Sequence, residues 1–102
     1  MRRVRKTKRY HKTLGVLPDK DQEAVEATVD RLEGNWIGLD FAPIKGTKDW
    51  WRLSVGNYRV FCRVSLKSES QRTGTKAITV RVQEIEVDEV KRRSTTTCRK
   101  RN

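Results

Sequence analysis

Arginines and an aromatic ring recur at every second position on either side of a Gly56-Asn57 step. Gly-Asn between two runs of β-favouring residues is a strong hairpin signal, and alternate residues of a strand point to opposite faces. One face would carry Arg52, Ser54, Arg59, Phe61 and Arg63. Converging guanidinium groups bind phosphate, and an aromatic ring stacks on bases. The spacing therefore predicts a nucleic-acid surface on one face of a hairpin.

The same register predicts that the opposite face is buried. With Gly56-Asn57 as a type II′ turn, or a type I′ turn with the usual order reversed, Val55 would face Tyr58. The apolar face would carry Trp51, Leu53, Val55, Tyr58, Val60, Cys62 and Val64. Each of the arginines could equally be the solvated side of an ordinary half-buried sheet.

Helical patterns precede the hairpin. Residues 1–6 favour a short edge strand, and a short helix is predicted to follow through Leu14. A second helix is predicted over residues 17–35, with Asp19 and Gln22 as a capping box and Gly34 at its end. Its apolar stripe should pack on the buried face of the hairpin. The stripe comprises Ala24, Val25, Thr28, Val29 and Leu32.

The rest of the chain is predicted to hold one more strand. Residues 36–44 and 66–75 are expected to be loops, and residues 76–82 a strand with Ile78, Val80 and Val82 inward. The apolar alternation slips at residues 83–84, which predicts a bulge or a turn there. Residues 88–93 are expected to form a helical turn, and residues 94–102 a basic polar tail.

Composition favours a polyanionic partner. The chain has 24 Lys and Arg against 13 Asp and Glu, a net charge of +11 that attracts nucleic acid before specific contacts form. Neither a membrane span nor a signal peptide is expected, so the predicted location is cytoplasmic, with no membrane partner. Two cysteines and one histidine are too few for a metal cluster, so neither metal nor cofactor is expected.

A family pattern runs through the hairpin and beyond it. It comprises Lys45-Gly46, the run 51–60, Lys91-Arg92-Arg93 and the position of Cys98. On these residues the chain resembles the RelE/ParE superfamily of type II toxins, within its RelE-like mRNA interferase branch. The resemblance implies a single α+β toxin domain over residues 1–102, with a small antiparallel sheet of three to four strands and two N-terminal helices on one face.

The resemblance also implies an activity, which is ribosome-dependent cleavage of mRNA in the A site without a metal. In that reaction the ribose 2′-oxygen attacks the adjacent phosphate, and several cations must converge on it. Arg59 matches the family's phosphate-stabilising arginine, and Arg52 stands where relatives often carry a catalytic lysine. Arg92 matches an arginine that assists the leaving oxygen.

Two positions depart from the pattern. Ser54 stands where a second lysine occurs in relatives, so Lys45 or Lys48 would have to supply the ammonium group. Cys98 replaces a tyrosine, and a thiol cannot stack as a ring does. The further candidates for RNA contact are Lys48, Phe61, Arg63, Arg81, Lys91 and Arg93.

The expected partners are an antitoxin protein, the ribosome and mRNA, whereas the oligomeric state is left open. Two alternatives remain open, the first from the resemblance and the second from the charge. One is a ParE-like toxin that inhibits gyrase without cutting RNA, and the other is a basic nucleic-acid-binding module without catalysis.

Overall fold

The computed structural model describes residues 2–93. Two α-helices and a short 3₁₀ helix lie between the first and second of five strands. The elements are β1 (Arg2–Lys6), α1 (Lys8–Leu14), α2 (Asp19–Asp30), the 3₁₀ helix (Arg31–Glu33), β2 (Phe41–Pro43), β3 (Trp50–Val55), β4 (Tyr58–Thr73) and β5 (Lys76–Arg92).

The strands form one mixed sheet in the order β1-β5-β4-β3-β2. β1 runs parallel to β5, whereas the other neighbours are antiparallel. The α+β class is therefore confirmed, but the predicted three to four antiparallel strands are not. β2 adds a strand within the segment expected to be a loop. The predicted edge strand and the short helix after it are β1 and α1, and β1 joins the sheet in the parallel direction.

The β3–β4 hairpin has the predicted register. Val55 pairs with Tyr58, Leu53 with Val60, and the ladder continues to Trp50 and Arg63. Gly56 has a φ of 55°, and no non-glycine residue between 2 and 93 has a positive φ. A positive φ at the first central position alone is the requirement of a type II′ turn.

The hydrophobic core lies between the helices and the predicted apolar face of the hairpin. Leu53, Val60 and Cys62 are fully buried there, against Val25 and Val29 of α2. The other fully or largely buried members are Tyr10, Leu14, Leu32, Ile85, Val87 and Val90. Full burial of an aliphatic side chain contributes about 1.5–3 kcal/mol, so this layer fixes which face of the sheet remains for function.

The helix boundaries differ from the prediction. Pro18 precedes α2 and its first residue is Asp19, which makes no side-chain cap. Gln22 instead donates to the Leu17 carbonyl at 2.8 Å, so the capping box is wrong. The helical segment ends as a 3₁₀ turn at Glu33, two residues before the predicted end at residue 35, and Gly34 is its C-terminal cap as predicted.

β4 and β5 continue far beyond the rest of the sheet. Residues 66–73, expected to be a loop, pair with β5 up to a Gly74-Thr75 turn, and the molecule is 66 Å long. The ladder is regular at residues 83–84, so no bulge lies there, and Val82 and Ile85 point to opposite faces. The register shift lies instead opposite Phe61 and Cys62, where Asp88 is the extra residue. Residues 88–92 are strand and not a helical turn.

Candidate functional site

The face of the sheet opposite the helices gathers basic and aromatic side chains in two cross-strand rows. In one row Arg52, Phe61 and Glu89 are neighbours on β3, β4 and β5. In the next row the neighbours are Ser54, Arg59 and Lys91. Directly opposite side chains have Cβ atoms about 5 Å apart and diagonal ones about 7–8 Å. We call this group (Arg52, Arg59, Phe61, Glu89 and Lys91) the arginine face.

Arg52 and Arg59 are half-buried and lack compensating acids. The Nε atom of each is buried and has no hydrogen-bond partner within residues 2–93. Neither guanidinium lies within 4.0 Å of a carboxylate in that range, although seven other ion-pair contacts are formed there. A buried unpaired donor is costly, so these two side chains are prepared for an anionic ligand.

Aromatic rings border the two arginines. The Lys91 ammonium lies 5.9 Å from the centre of the Phe61 ring, and the Arg63 guanidinium lies 4.9 Å from that of Trp50. Phe61, Trp50 and Lys91 line a cleft of about 300 Å³. The cleft is completed by Arg9, Ile44, Thr47, Asp88 and Glu89. It combines an aromatic stacking surface with the Lys91 ammonium, a pairing of ring and cation that single-stranded nucleic acid binds.

A carboxylate pair lies at the edge of the cleft, and the sequence did not identify it. Arg9 of α1 approaches Glu89 at 3.3 Å and Asp88 at 3.8 Å, so a helix residue holds the end of β5. The Glu89 side chain is only 17% exposed and stands beside Phe61. Its approach to the arginine face depends on the bulge at Asp88, which leaves no signal in composition or spacing.

The remaining predicted residues are dispersed. Arg92 pairs with Tyr58, whose side chain packs against the core, so Arg92 points to the helix side of the sheet. Arg81 is opposite Ser68, and Ser68 follows Arg59 by nine residues on β4. The distance between Arg81 and Arg59 along the sheet is therefore about 30 Å. Neither Arg92 nor Arg81 belongs to the arginine face, and Cys98 lies outside the described residues.

Three further candidates lie at the margin. Lys45 and Lys48 are exposed in the turn between β2 and β3, whose Ile44 and Thr47 line the cleft. The amide of Arg93 donates to the Asn57 carbonyl at 2.6 Å, beside the hairpin turn. These lysines border the arginine face but are not part of it.

Other titratable groups serve the fold. The Tyr58 hydroxyl donates to Asp21 at 2.7 Å, which raises the pKa of Tyr58. Burial raises the pKa of the Cys62 thiol to about 12 and so removes its nucleophilic character. Within residues 2–93 no group of three or more His, Cys, Asp or Glu could hold a metal ion, and no helix could cross a membrane.

Comparison with known proteins identifies a similar fold. No protein-family model and no curated protein matches the sequence. A solved structure, a chain of the RelB-RelE antitoxin-toxin complex from Methanococcus jannaschii, superimposes with a TM-score of 0.60 at 20% identity. The match covers 87% of this chain and 89% of that chain. The chain therefore shares its fold with a component of a toxin-antitoxin complex.

Proposed function

We propose that this protein is the toxin of a type II toxin-antitoxin pair and cleaves mRNA in the ribosomal A site without a metal. The observation that carries the proposal is the pair of half-buried arginines, Arg52 and Arg59, whose Nε atoms have no partner within residues 2–93. The fold shared with a chain of an antitoxin-toxin complex supports the toxin-antitoxin assignment.

The charge of the arginine face suits the transition state of RNA cleavage. When the 2′-oxygen attacks, a bond forms between that oxygen and phosphorus, the bond from phosphorus to the 5′-oxygen breaks, and negative charge grows on the phosphoryl oxygens. Arg59 and Arg52 are diagonal neighbours, and Lys91 is opposite Arg59. Between Cβ atoms, Arg59 lies about 5 Å from Lys91 and about 7–8 Å from Arg52, so the long side chains of all three can converge on one phosphate. Losing a single such donor typically costs 10²–10³-fold in rate.

The attacking hydroxyl also needs a proton acceptor. A guanidinium cannot serve near neutral pH, because it stays protonated. Glu89 is the carboxylate of the arginine face, and Arg9 holds it at 3.3 Å beside Phe61. In the proposal Phe61 stacks on a base, Glu89 accepts the 2′-hydroxyl proton, and Lys91 donates to the 5′-oxygen as it leaves.

The test is primer extension on a reporter mRNA translated in a purified system. Ribosome-dependent 5′ ends inside codons are expected with the wild-type protein, and Arg59→Ala should abolish most of them. Intact mRNA would refute the proposal. If gyrase-dependent DNA breaks appeared with intact mRNA, the protein would instead be a gyrase-inhibiting toxin of the same fold.

Glu89 is tested separately against Glu86. Both carboxylates lie on this face of β5, but Glu86 is paired with Arg5 and stands one row away from Phe61. Glu89→Gln should slow cleavage by about 10²-fold or more, whereas Glu86→Gln should leave the rate unchanged. Equal rates in the two variants would exclude Glu89 as the proton acceptor and leave the arginine assignment standing.

A further inference from the structure

The long β4–β5 hairpin leaves the body of the protein as a two-stranded ribbon. β3 pairs with β4 only as far as Arg63, and β1 pairs with β5 from Gln83 onward. Residues 67–82, which we call the ribbon arm, therefore have no third strand on either side within the described structure. The seven residues from Lys67 to Thr73 extend it by about 23 Å. An isolated ribbon is only marginally stable in water, so a partner surface would explain its length.

The charges of the ribbon arm are unbalanced. It holds four basic residues and one acidic residue. The two charges near its base are compensated, because Glu69 binds Arg3 at 2.7 Å and Lys67 binds Glu84 at 3.0 Å. The three other cations are exposed and have no carboxylate within 4.0 Å among residues 2–93. They are Arg72, Lys76 and Arg81.

Two of these cations share one face with hydroxyl groups. Arg72 is opposite Ala77 and Arg81 is opposite Ser68, and between them the pair of Ser70 and Thr79 lies on the same face. Arginine with serine and threonine is the usual set of donors to phosphate oxygens. The two guanidinium groups are four residues apart along β4, about 13 Å, which corresponds to about four phosphates of one strand in a duplex.

We infer that the ribbon arm is a second RNA-binding surface, which holds the sugar-phosphate backbone of structured RNA remote from the arginine face. Arg81 lies about 30 Å from Arg59, so the arm contacts a different part of the RNA from the cleaved strand. The exposed cations of the ribbon arm favour a nucleic acid as the partner. The choice of RNA over DNA rests on the proposed function. Backbone contacts of this kind position a protein without reading sequence.

The inference is tested by binding to a labelled RNA hairpin with a 20-base-pair stem, measured by fluorescence anisotropy over a series of salt concentrations. All proteins carry Arg59→Met, so the probe stays intact. The arm variant combines Arg72→Gln, Lys76→Gln and Arg81→Gln. The control combines Lys8→Gln, Lys12→Gln and Lys20→Gln, three exposed helix residues with no ion pair in the described structure, which remove the same charge.

The arm variant should bind at least tenfold more weakly and lower the slope of log K against log salt by about 2–3. The control variant should lose less than about threefold in RNA affinity. Equal losses in the two variants would mean that only net charge matters, and an unchanged arm variant would also overturn the inference. If sedimentation showed that the arm variant dissociates a dimer while RNA affinity is unchanged, the arm would be a protein interface. Cleavage by the protein with native Arg59 is a separate readout, so failure here leaves the proposed function in place.

Discussion

Arg59→Met should make the protein more stable while it removes activity. The side chain is half-buried, its Nε has no partner within residues 2–93, and Lys91 lies directly opposite it, with Arg52 and Glu89 as diagonal neighbours. Methionine keeps the apolar stem and deletes the charge. A residue that serves the fold should behave in the opposite way, so the sign of the effect separates a binding role from a structural one.

The magnitude follows from two contributions. An unpaired buried donor costs about 1–3 kcal/mol. Repulsion from Arg52 and attraction to Glu89, both diagonal neighbours, nearly cancel. Repulsion from Lys91, at roughly 5 Å and an effective dielectric constant of 40–80, adds about 0.8–1.7 kcal/mol. Hydration of the exposed part of the guanidinium offsets much of this sum, which leaves a net gain of about 1 kcal/mol in the free energy of unfolding. In a domain of this size that gain corresponds to a rise in Tm of about 4–8 °C.

The assay is thermal unfolding followed by circular dichroism at low and high salt. Arg5→Met is the matched control, because Arg5 lies on the same face of the sheet but is paired with Glu86. Its Tm should stay the same or fall slightly. The gain from Arg59→Met should shrink at high salt, where repulsion is screened. The reasoning would be refuted if Arg59→Met lowered the Tm by as much as Arg5→Met does, or by more.

Three more predictions concern the fold. Gly56→Val should lower the free energy of unfolding by at least about 1–2 kcal/mol, because φ is 55° there; an unchanged Tm would exclude the type II′ turn. Burial raises the pKa of the Cys62 thiol to about 12. In a Cys98→Ser protein, Cys62 should therefore react with a thiol reagent only after unfolding. Rapid labelling of the native protein would contradict this burial. Burial, and then the hydrogen bond to Glu26, raise the pKa of Tyr10 above its unfolded value of about 10. The stabilisation that Tyr10 gives the fold is therefore complete below pH 10 and is lost as the pH rises above 10. Tyr10→Phe should make the free energy of unfolding fall less steeply with pH above 10 than it does in the wild type. Parallel curves for the two proteins would argue against the buried hydroxyl.

The hairpin was predictable because its information is local. Gly56-Asn57 specifies the turn, and the period of two then assigns each side chain to a face. Both signals lie within fourteen residues. The parallel pairing of β1 with β5 joins residues about 80 positions apart and leaves no such local trace.

The β4 half of the ribbon arm was missed for a different reason, whereas the strand predicted over residues 76–82 is the start of β5. The β4 half is almost entirely polar and carries no apolar alternation, because neither of its faces packs on the core. Hydrophobic periodicity detects strands by what they bury. A ribbon held by its backbone hydrogen bonds alone resembles a loop in sequence.

The composition of the site depends on one extra residue. The bulge at Asp88 shifts the alternation, so Glu89 and Lys91 point to the arginine face while Arg92 points to the helices. Without the shift Arg92 would lie on the side of Arg59, as the family pattern implies. Arg52, Arg59 and Phe61 were correctly placed on one face because they precede the bulge, and their catalytic roles remain predictions.

The central claim is that the arginine face promotes attack by the 2′-oxygen of the mRNA. It is tested most directly with ribosomes programmed with an mRNA that carries one 2′-deoxyribose immediately before the bond cleaved in the A site. The account predicts that cleavage at that bond disappears, while an all-ribose mRNA is cut by the wild-type protein and spared by Arg59→Met. Continued cleavage at the deoxy-substituted bond, or cutting that does not depend on Arg59, would contradict it.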